Sequence, residues 1–399
     1  MTELFEYQNN LLKNVPTQWK RYVYNRLQKS GRLTGIKGLR GVGKTILLLQ
    51  YLLEHKKGND ILYATAEHPY FYTNSLYDLA QEFVKYGGRE LIVDEVHKYP
   101  GWSRELKLIY DSQPQLKILF SSSSALDLYR GEADLSRRLQ KIELYGMSFR
   151  EFLAFQHKLN FKTYELEEIF KKHQEISATI TKDINILPLF QEYLKFGYFP
   201  FRYDFQEDEA FISAIYRVIN VVLENDLAWI EDYSARNVMK LKKLTGVMAE
   251  LVPYEPNISQ IAKKLEIGRT TLYTYLKNMH DAGILRLLYK PGRGTSKLQK
   301  PAKIFFENPG FLFALSKQPE KGTIRELFLA NQLENAGYQV NISKDKADFL
   351  VDEKYTIEVG GKNKNTSQIK SLDDAFLAMD DVESGFANSI PLWLFGFLY

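Results

Sequence analysis

Gly38-Leu39-Arg40-Gly41-Val42-Gly43-Lys44-Thr45 fits the spacing G-x-x-x-x-G-K-[ST], and further along Asp94 and Glu95 close an apolar run. Glycines leave no Cβ between backbone N–H groups and an anion, so such a loop can wrap a polyphosphate. Lys44 is spaced to reach the β- and γ-phosphates, and the Thr45 hydroxyl to bind Mg²⁺. Ile46 continues into a helix whose positive dipole end faces the same anion. Asp94 is expected to hold Mg²⁺ through water, and Glu95 to polarise an attacking water. The chemistry this implies is Mg²⁺-dependent binding and hydrolysis of ATP.

Two further groups belong to the same reading. Ser121-Ser122-Ser123-Ser124 follows the apolar run Lys117–Phe120. A polar side chain there, Ser121 or Ser122, is placed to sense the γ-phosphate, although a serine run also makes a plain turn. Arg137 and Arg138 precede the run Lys141–Tyr145. An arginine just before the last strand of such a sheet can neutralise transition-state charge, in its own chain or a neighbour's.

These residues need a parallel sheet to bring them together. Leu33–Lys37 reads as the strand before the glycine loop and Ile46–Leu53 as the helix after it. Asp60–Thr65, Glu90–Glu95, Lys117–Phe120 and Lys141–Tyr145 supply further strands. A helix over 74–86 is capped by Asn74 or Ser75. Residues 1–31 read as an amphipathic helical lead-in, with Trp19, Tyr22, Val23 and Leu27 at helical spacing. Acids at the C-terminal tips of buried strands match the site position of open α/β sheets.

Beyond Ser148 the pattern turns helical, with aromatic stripes that read as core. Asn257–Leu265 and Thr270–Ala282 then form a helix-turn-helix, followed by a hairpin. From Arg286 to Lys303 there are six basic residues and no acid. That is the character of a basic wing whose Lys290, Arg293 and Lys297 contact the phosphates of duplex DNA, a protein-docking winged helix being the other reading. In the last segment Glu326, Asp348 and Glu358 fall on a helix and two successive strands, with Lys362 and Lys364 close behind. Carboxylates and a lysine so placed can gather around a divalent metal.

The whole is 399 residues, with 45% hydrophobic side chains and a net charge of +4. That predicts several folded domains, and any basic surface must be local. There is no cysteine, which removes disulfides, thiolate metal sites and cysteine nucleophiles. The acidic N-terminus does not read as a signal peptide, and the longest apolar tract, Ile390–Tyr399, is about half a membrane span. A cytoplasmic protein without membrane contact is expected.

The chain resembles a family of bacterial and archaeal AAA-type ATPases. The resemblance is carried by GLRGVGKT, LIVDEVHKYPGW, SSSSALDL, LSRRLQKIELYGMSFREFL, the helix-turn-helix, IEVGGKNK and the closing IPLWLFGFLY. It implies a multidomain protein: an α/β P-loop NTPase domain with a parallel sheet (1–150), a helical lid (151–252), a winged helix (253–310) and a restriction-endonuclease-like domain (311–399). By the same resemblance Asp94 and Glu95 fall on the Walker B acids and Arg137 or Arg138 on the arginine-finger position, which brings a homo-oligomer into view. The nuclease pattern wants Glu-x-Lys, but position 360 is glycine. Cleavage is therefore expected to be weak or absent. The resulting reading is ATP hydrolysis that moves a winged-helix and nuclease-like module, acting on DNA. A slow nucleotide-gated DNA switch, a protein-docking ATPase and an ATP-gated nuclease are the alternatives.

Overall fold

The computed structural model describes residues 1–122, 135, 137–227, 233–251, 257–292, 300–344, 347–365 and 372–399. Ser123, Ser124, Arg293 and Lys297 lie outside the described residues. The chain divides into two compact units, Met1–Tyr145 and Gly146–Tyr399.

In the first unit α1 (Thr2–Leu12) and α2 (Tyr24–Gln28) precede β1 (Leu33–Lys37) and α3 (Lys44–His55). Next come β2 (Ile61–Thr65), α4 (Leu76–Lys85), β3 (Glu90–Asp94), α5 (Trp102–Ser112), β4 (Lys117–Ser122) and β5 (Gln140–Glu143). The strands form one parallel sheet in the order β2-β3-β4-β1-β5. Every residue of β3 is buried, as expected of a strand covered on both faces. Ser75, not Asn74, caps α4: its hydroxyl accepts the Asp78 N–H at 3.0 Å. The lead-in is not one helix. Pro16 falls between α1 and α2, and the carbonyls of Pro16 and Trp19 instead accept the Gln50 side-chain amide at 2.6 and 2.8 Å. At the sheet edge the Tyr63 N–H donates to Gln8 Oε1 of α1 at 2.6 Å, which covers a strand edge that would otherwise be open.

The second unit begins with α6 (Phe149–His157), started by a reciprocal capping box of Ser148 and Glu151. It continues through α7 (Leu166–Thr181), α8 (Ile186–Glu192), α9 (Asp208–Val221) and α10 (Ala235–Leu251). A helix-turn-helix, α11 (Ile258–Lys264) and α12 (Arg269–Asp281), leads into an antiparallel pair, β6 (Leu285–Leu288) and β7 (Lys303–Phe306). Then come α13 (Pro309–Leu315), α14 (Lys321–Asn335) and a mixed sheet. Its strands are β8 (Val340–Ile342), β9 (Phe349–Val351), β10 (Tyr355–Gly360), β11 (Ala375–Met379) and β12 (Ser389–Pro391), in the order β12-β11-β10-β9-β8.

The two units meet at Tyr145/Gly146, and everything from Gly146 onward belongs to one of them. The apolar C-terminus explains part of this. Leu392–Phe397 is a buried 3₁₀ turn, with Phe397 edge-on to Phe149 at 5.8 Å and to Phe161 at 5.7 Å. The Tyr399 carbonyl accepts Ser148 Oγ at 2.7 Å and Arg150 Nε at 3.0 Å. Burying one Phe is worth about 2–3 kcal/mol, so a tail of such residues holds the two ends of this unit in one core.

Candidate active site at the glycine loop

Parallel pairing sets the C-terminal ends of β1, β3 and β4 side by side, with Ile36 opposite Ser121 and Ile92 opposite Leu119. The glycine loop follows β1, Asp94 ends β3, and Ser121-Ser122 end β4. The loop is shaped by two glycine-only conditions. Gly43, the residue before α3, has φ 95°, a left-handed value that side chains resist. A Cβ on Gly38 would fall 2.3 Å from the Leu144 carbonyl oxygen, so β5 can pass close behind the loop only if position 38 is bare. Leu39 and Val42 are buried beneath the loop, Arg40 and Gly41 are half-buried, and Ile46 is exposed on the first turn of α3.

Lys44 is 5% exposed; its Nζ donates to the carbonyls of Gly38 at 2.9 Å and Leu39 at 3.3 Å. It also lies 3.9 Å from Glu95 Oε1. Thr45 Oγ1 donates to Asp94 Oδ2 at 2.7 Å, and the Tyr63 hydroxyl donates to the same oxygen at 2.7 Å. Ser121 Oγ donates to Asp94 Oδ1 and accepts the Glu95 N–H at 3.0 Å. The Glu95 N–H also donates to Asp94 Oδ1 at 3.2 Å, so Asp94 is held at 2% exposure by three hydroxyls and one backbone amide, all neutral donors. Burial, then the Asp94 charge, push the Tyr63 hydroxyl far above its ordinary range, so it remains a donor. Mg²⁺ takes one or two protein oxygens beside phosphate and water, and Thr45 Oγ1 with Asp94 Oδ2 fit that requirement.

Glu95 sits at φ 51°, a left-handed conformation that costs a non-glycine residue about 1 kcal/mol or more. Its N–H bond to Ser121 helps fix it there. His97 Nε2 lies 3.5 Å from Glu95 Oε2, and Ser122 Oγ lies 3.4 Å from His97 Nδ1. Burial, then Lys98, Lys44 and Arg40, hold the imidazole pKa down to about 3, so the ring is neutral. Because the Glu95 carboxylate can only accept, the ring proton belongs on Nε2 facing it, which leaves Nδ1 to accept from Ser122 Oγ.

Sequence reasoning missed Tyr63, His97 and Arg21. His97 had a signal, two positions after Glu95. Arg21 had none: it is 4% exposed, with Nη1 on the Val42 carbonyl of the loop and Nη2 on the Tyr145 carbonyl at 2.6 Å. The two serines expected near the γ-phosphate are both buried, Ser121 on Asp94 and Ser122 on His97. Arg137 is exposed, and Arg138 makes a two-point pair with Asp111 at 2.9 and 3.0 Å. Both arginines precede Gln140, whose partner is Thr34 near the start of β1. They therefore lie at the opposite end of the strands from their own glycine loop, one strand length or roughly 15 Å away.

Residues 30–153 match a family model described as an AAA domain. This segment is a P-loop ATPase-type domain, and its parallel sheet carries the loop and carboxylates just described. Residues 187–322 match a domain of unknown function (DUF8612), which runs across the helices and the helix-turn-helix. Relatives include an uncharacterized protein of Methanocaldococcus jannaschii, 26% identical over 373 residues, covering 84% of this chain and 77% of the relative. An uncharacterized protein of Haemophilus influenzae is 26% identical over 383 residues, covering 86% of each. Among solved structures, the Walker-type ATPase of Pyrococcus abyssi aligns over 76% of this chain and 99% of its own, at 15% identity and a TM-score of 0.43. AMPPCP-bound DnaA from Aquifex aeolicus aligns over 69% and 87%, at 16% identity and a TM-score of 0.25. Among the described residues no helix is long and apolar enough to cross a membrane.

Glu326, Asp348 and Glu358 all lie in the second unit, linked through neighbouring groups. Ile357 pairs with Phe349, which sets Glu358 across from Asp348, and the Val359 N–H donates to Asp348 Oδ2 at 3.0 Å. Glu326 joins them through a lysine: Lys303 Nζ donates to Glu326 Oε2 at 2.7 Å and to Asp348 Oδ1 at 3.3 Å. Lys362 is exposed, whereas Lys364 Nζ lies 2.6 Å from Glu358 Oε1. The basic run is not all wing. Arg286 is buried in ion pairs with Glu307 and Glu334, and Lys303 faces the acids, so two of the six basic residues point inward. Lys290 and Lys300 are exposed.

Proposed function

We propose that this protein binds ATP with Mg²⁺ and hydrolyses it. The observation that carries this reading is the 2.7 Å bond from Thr45 Oγ1 to Asp94 Oδ2, which ties the glycine loop to the tip of β3 beside Lys44 and Glu95. Loop N–H groups and the start of α3 would receive the phosphates, and Lys44 would turn from the Gly38 and Leu39 carbonyls toward the β- and γ-oxygens. Bound Mg²⁺ would neutralise charge on those oxygens, held from the protein side by Thr45 and Asp94. Glu95 accepts a proton from the attacking water, and the neutral His97 fixes the direction in which its carboxylate points. Glu95→Gln tests the reading: nucleotide binding should survive and phosphate release should stop. Turnover at the wild-type rate would refute it.

Since Arg138 lies far from its own loop, an arginine finger would have to enter the site of a neighbouring copy. That favours a homo-oligomer with shared sites. Mixing Lys44→Ala with Arg138→Ala protein should restore part of the activity if so; no restoration would count against it.

A second reading concerns the helix-turn-helix, where Arg269, Thr270, Thr271, Thr274 and Lys277 form an exposed polar face on α12. We infer a winged helix that contacts duplex DNA with this face, and ATP hydrolysis that moves it with the nuclease-like segment. Binding should weaken with salt and with Arg269→Glu plus Lys290→Glu. Unchanged affinity in that double variant would favour docking to protein instead.

A further inference from the structure

A restriction-endonuclease-like segment implies a divalent metal among Glu326, Asp348 and Glu358. The residues present do not fit one. Among the described residues no three His, Asp or Glu side chains are set to hold one metal ion. The obstacle is a cation already in place. Lys303 Nζ bridges Glu326 and Asp348 at 2.7 and 3.3 Å, where a metal would need their oxygens at about 2.0–2.6 Å. Its ammonium is 5.8 Å from the centre of the Phe349 ring, so the side chain is packed as well as paired. A divalent ion entering this gap would be repelled by the ammonium at a separation of about 3–4 Å, so it would have to displace Lys303 from the two carboxylates.

The third acid is taken in the same way. A Cβ on Gly360 would fall 2.5 Å from both Cβ and Cγ of Lys364. The side chain of Lys364 therefore fills the space in which a lysine at position 360 would begin. The chain turns at Gly361, whose carbonyl accepts the Lys364 N–H at 2.8 Å, and this brings Nζ back onto Glu358.

We propose that Lys303 is the built-in cation of this acid pocket. It stands where a nuclease-like domain would hold its metal, and so makes the pocket a latch between the hairpin strand β7 and the C-terminal sheet. Lys303 is well placed for that task because β7 is the returning strand of the hairpin, while Glu326 is on α14 and Asp348 leads into β9. The protonation behaviour agrees. Burial would lower the Lys303 pKa, but Glu326 and Asp348 overcome it and hold the pKa above the ordinary value. Burial, then the neighbouring Asp348, push Glu326 upward against the pull of Lys303.

The test is Mn²⁺ binding followed by electron paramagnetic resonance, in full-length protein without nucleotide. An Asp94→Asn background removes the oxygen site at the glycine loop, so a fault in the ATPase reading cannot imitate the result. Protein with Lys303 intact should retain no Mn²⁺. Lys303→Met, which leaves the acids without this ammonium, should retain one ion per chain and lose it again on Asp348→Asn. Lys303→Gln serves as a second variant if the methionine disturbs folding. Mn²⁺ retained with Lys303 in place and released by Asp348→Asn would overturn the proposal. So would a folded Lys303→Met or Lys303→Gln protein that retains none.

Discussion

The two acid clusters of this protein begin from similar parts and end in opposite states. Each sets carboxylates at strand ends and brings a lysine nearby. At the glycine loop the lysine donates to backbone carbonyls and stays 3.9 Å from Glu95, and Asp94 is held by the hydroxyls of Thr45, Tyr63 and Ser121 and by the Glu95 N–H. In the second unit Lys303 and Lys364 lie directly on the carboxylates. A hydroxyl orients a carboxylate and leaves its charge uncompensated, so an incoming cation still gains by binding there. An ammonium satisfies the charge, and a metal must then displace a tethered competitor. The partner of a carboxylate decides whether it is a site or a joint.

The sharpest way to break this comparison is at the loop. Lys44→Ala should abolish nucleotide binding or turnover, and Glu95→Gln should lower kcat by about 10²–10⁴-fold while binding persists. Both are read by phosphate release and by titration with a fluorescent ATP analogue. Next, the same change made in both clusters should have different consequences. Asp94→Asn should remove Mg²⁺-dependent turnover with little change in stability. Asp348→Asn should leave turnover intact and destabilise the protein by about 1–2 kcal/mol in urea, because Lys303 keeps only Glu326. If Asp348→Asn abolished turnover, the two clusters would not be independent.

His97 gives a smaller, pH-dependent effect. Its pKa is held near 3 in the folded state, against 6.5 for the free side chain. Between those values the unfolded chain binds the extra proton, so stability contributed by the neutral ring is present above about pH 6.5 and is lost as pH falls toward 3. The slope approaches about 1.4 kcal/mol per pH unit. His97→Gln should flatten the fall in urea midpoint across that window, and should lower kcat more than it alters KM. The smallest expected change is Tyr63→Phe. It removes one of three hydroxyls on Asp94, and a rise of roughly three- to tenfold in the Mg²⁺ needed for half-maximal turnover is expected from one hydrogen bond.

Much of the first unit was legible because its signals are local. The glycine spacing fixes the loop, and apolar runs ending in acids or serines mark the strands that must lie beside it. Ser75 at the start of α4 followed from cap chemistry. The helix-turn-helix was equally local, since Ala262, Leu265, Leu272 and Leu276 repeat at helical spacing and are all buried. The lead-in misled because its apolar spacing survives the break at Pro16, where Gln50, far along the chain, takes the freed carbonyls.

Sequence by itself determined which residues gather at the glycine loop and which acids would be neighbours, because both follow from backbone geometry and strand alternation. Tertiary structure decided what each charge faces. Arg138 precedes β5 and so is carried to the end of the strands away from the loop; Arg286 and Lys303 belong to a basic run yet turn inward; Lys364, not Lys362, reaches Glu358. Spacing along a chain tells which face of a strand a side chain shares. It does not tell which distant ion waits there, and in a partly buried pocket that partner sets whether a carboxylate binds a metal or closes a fold.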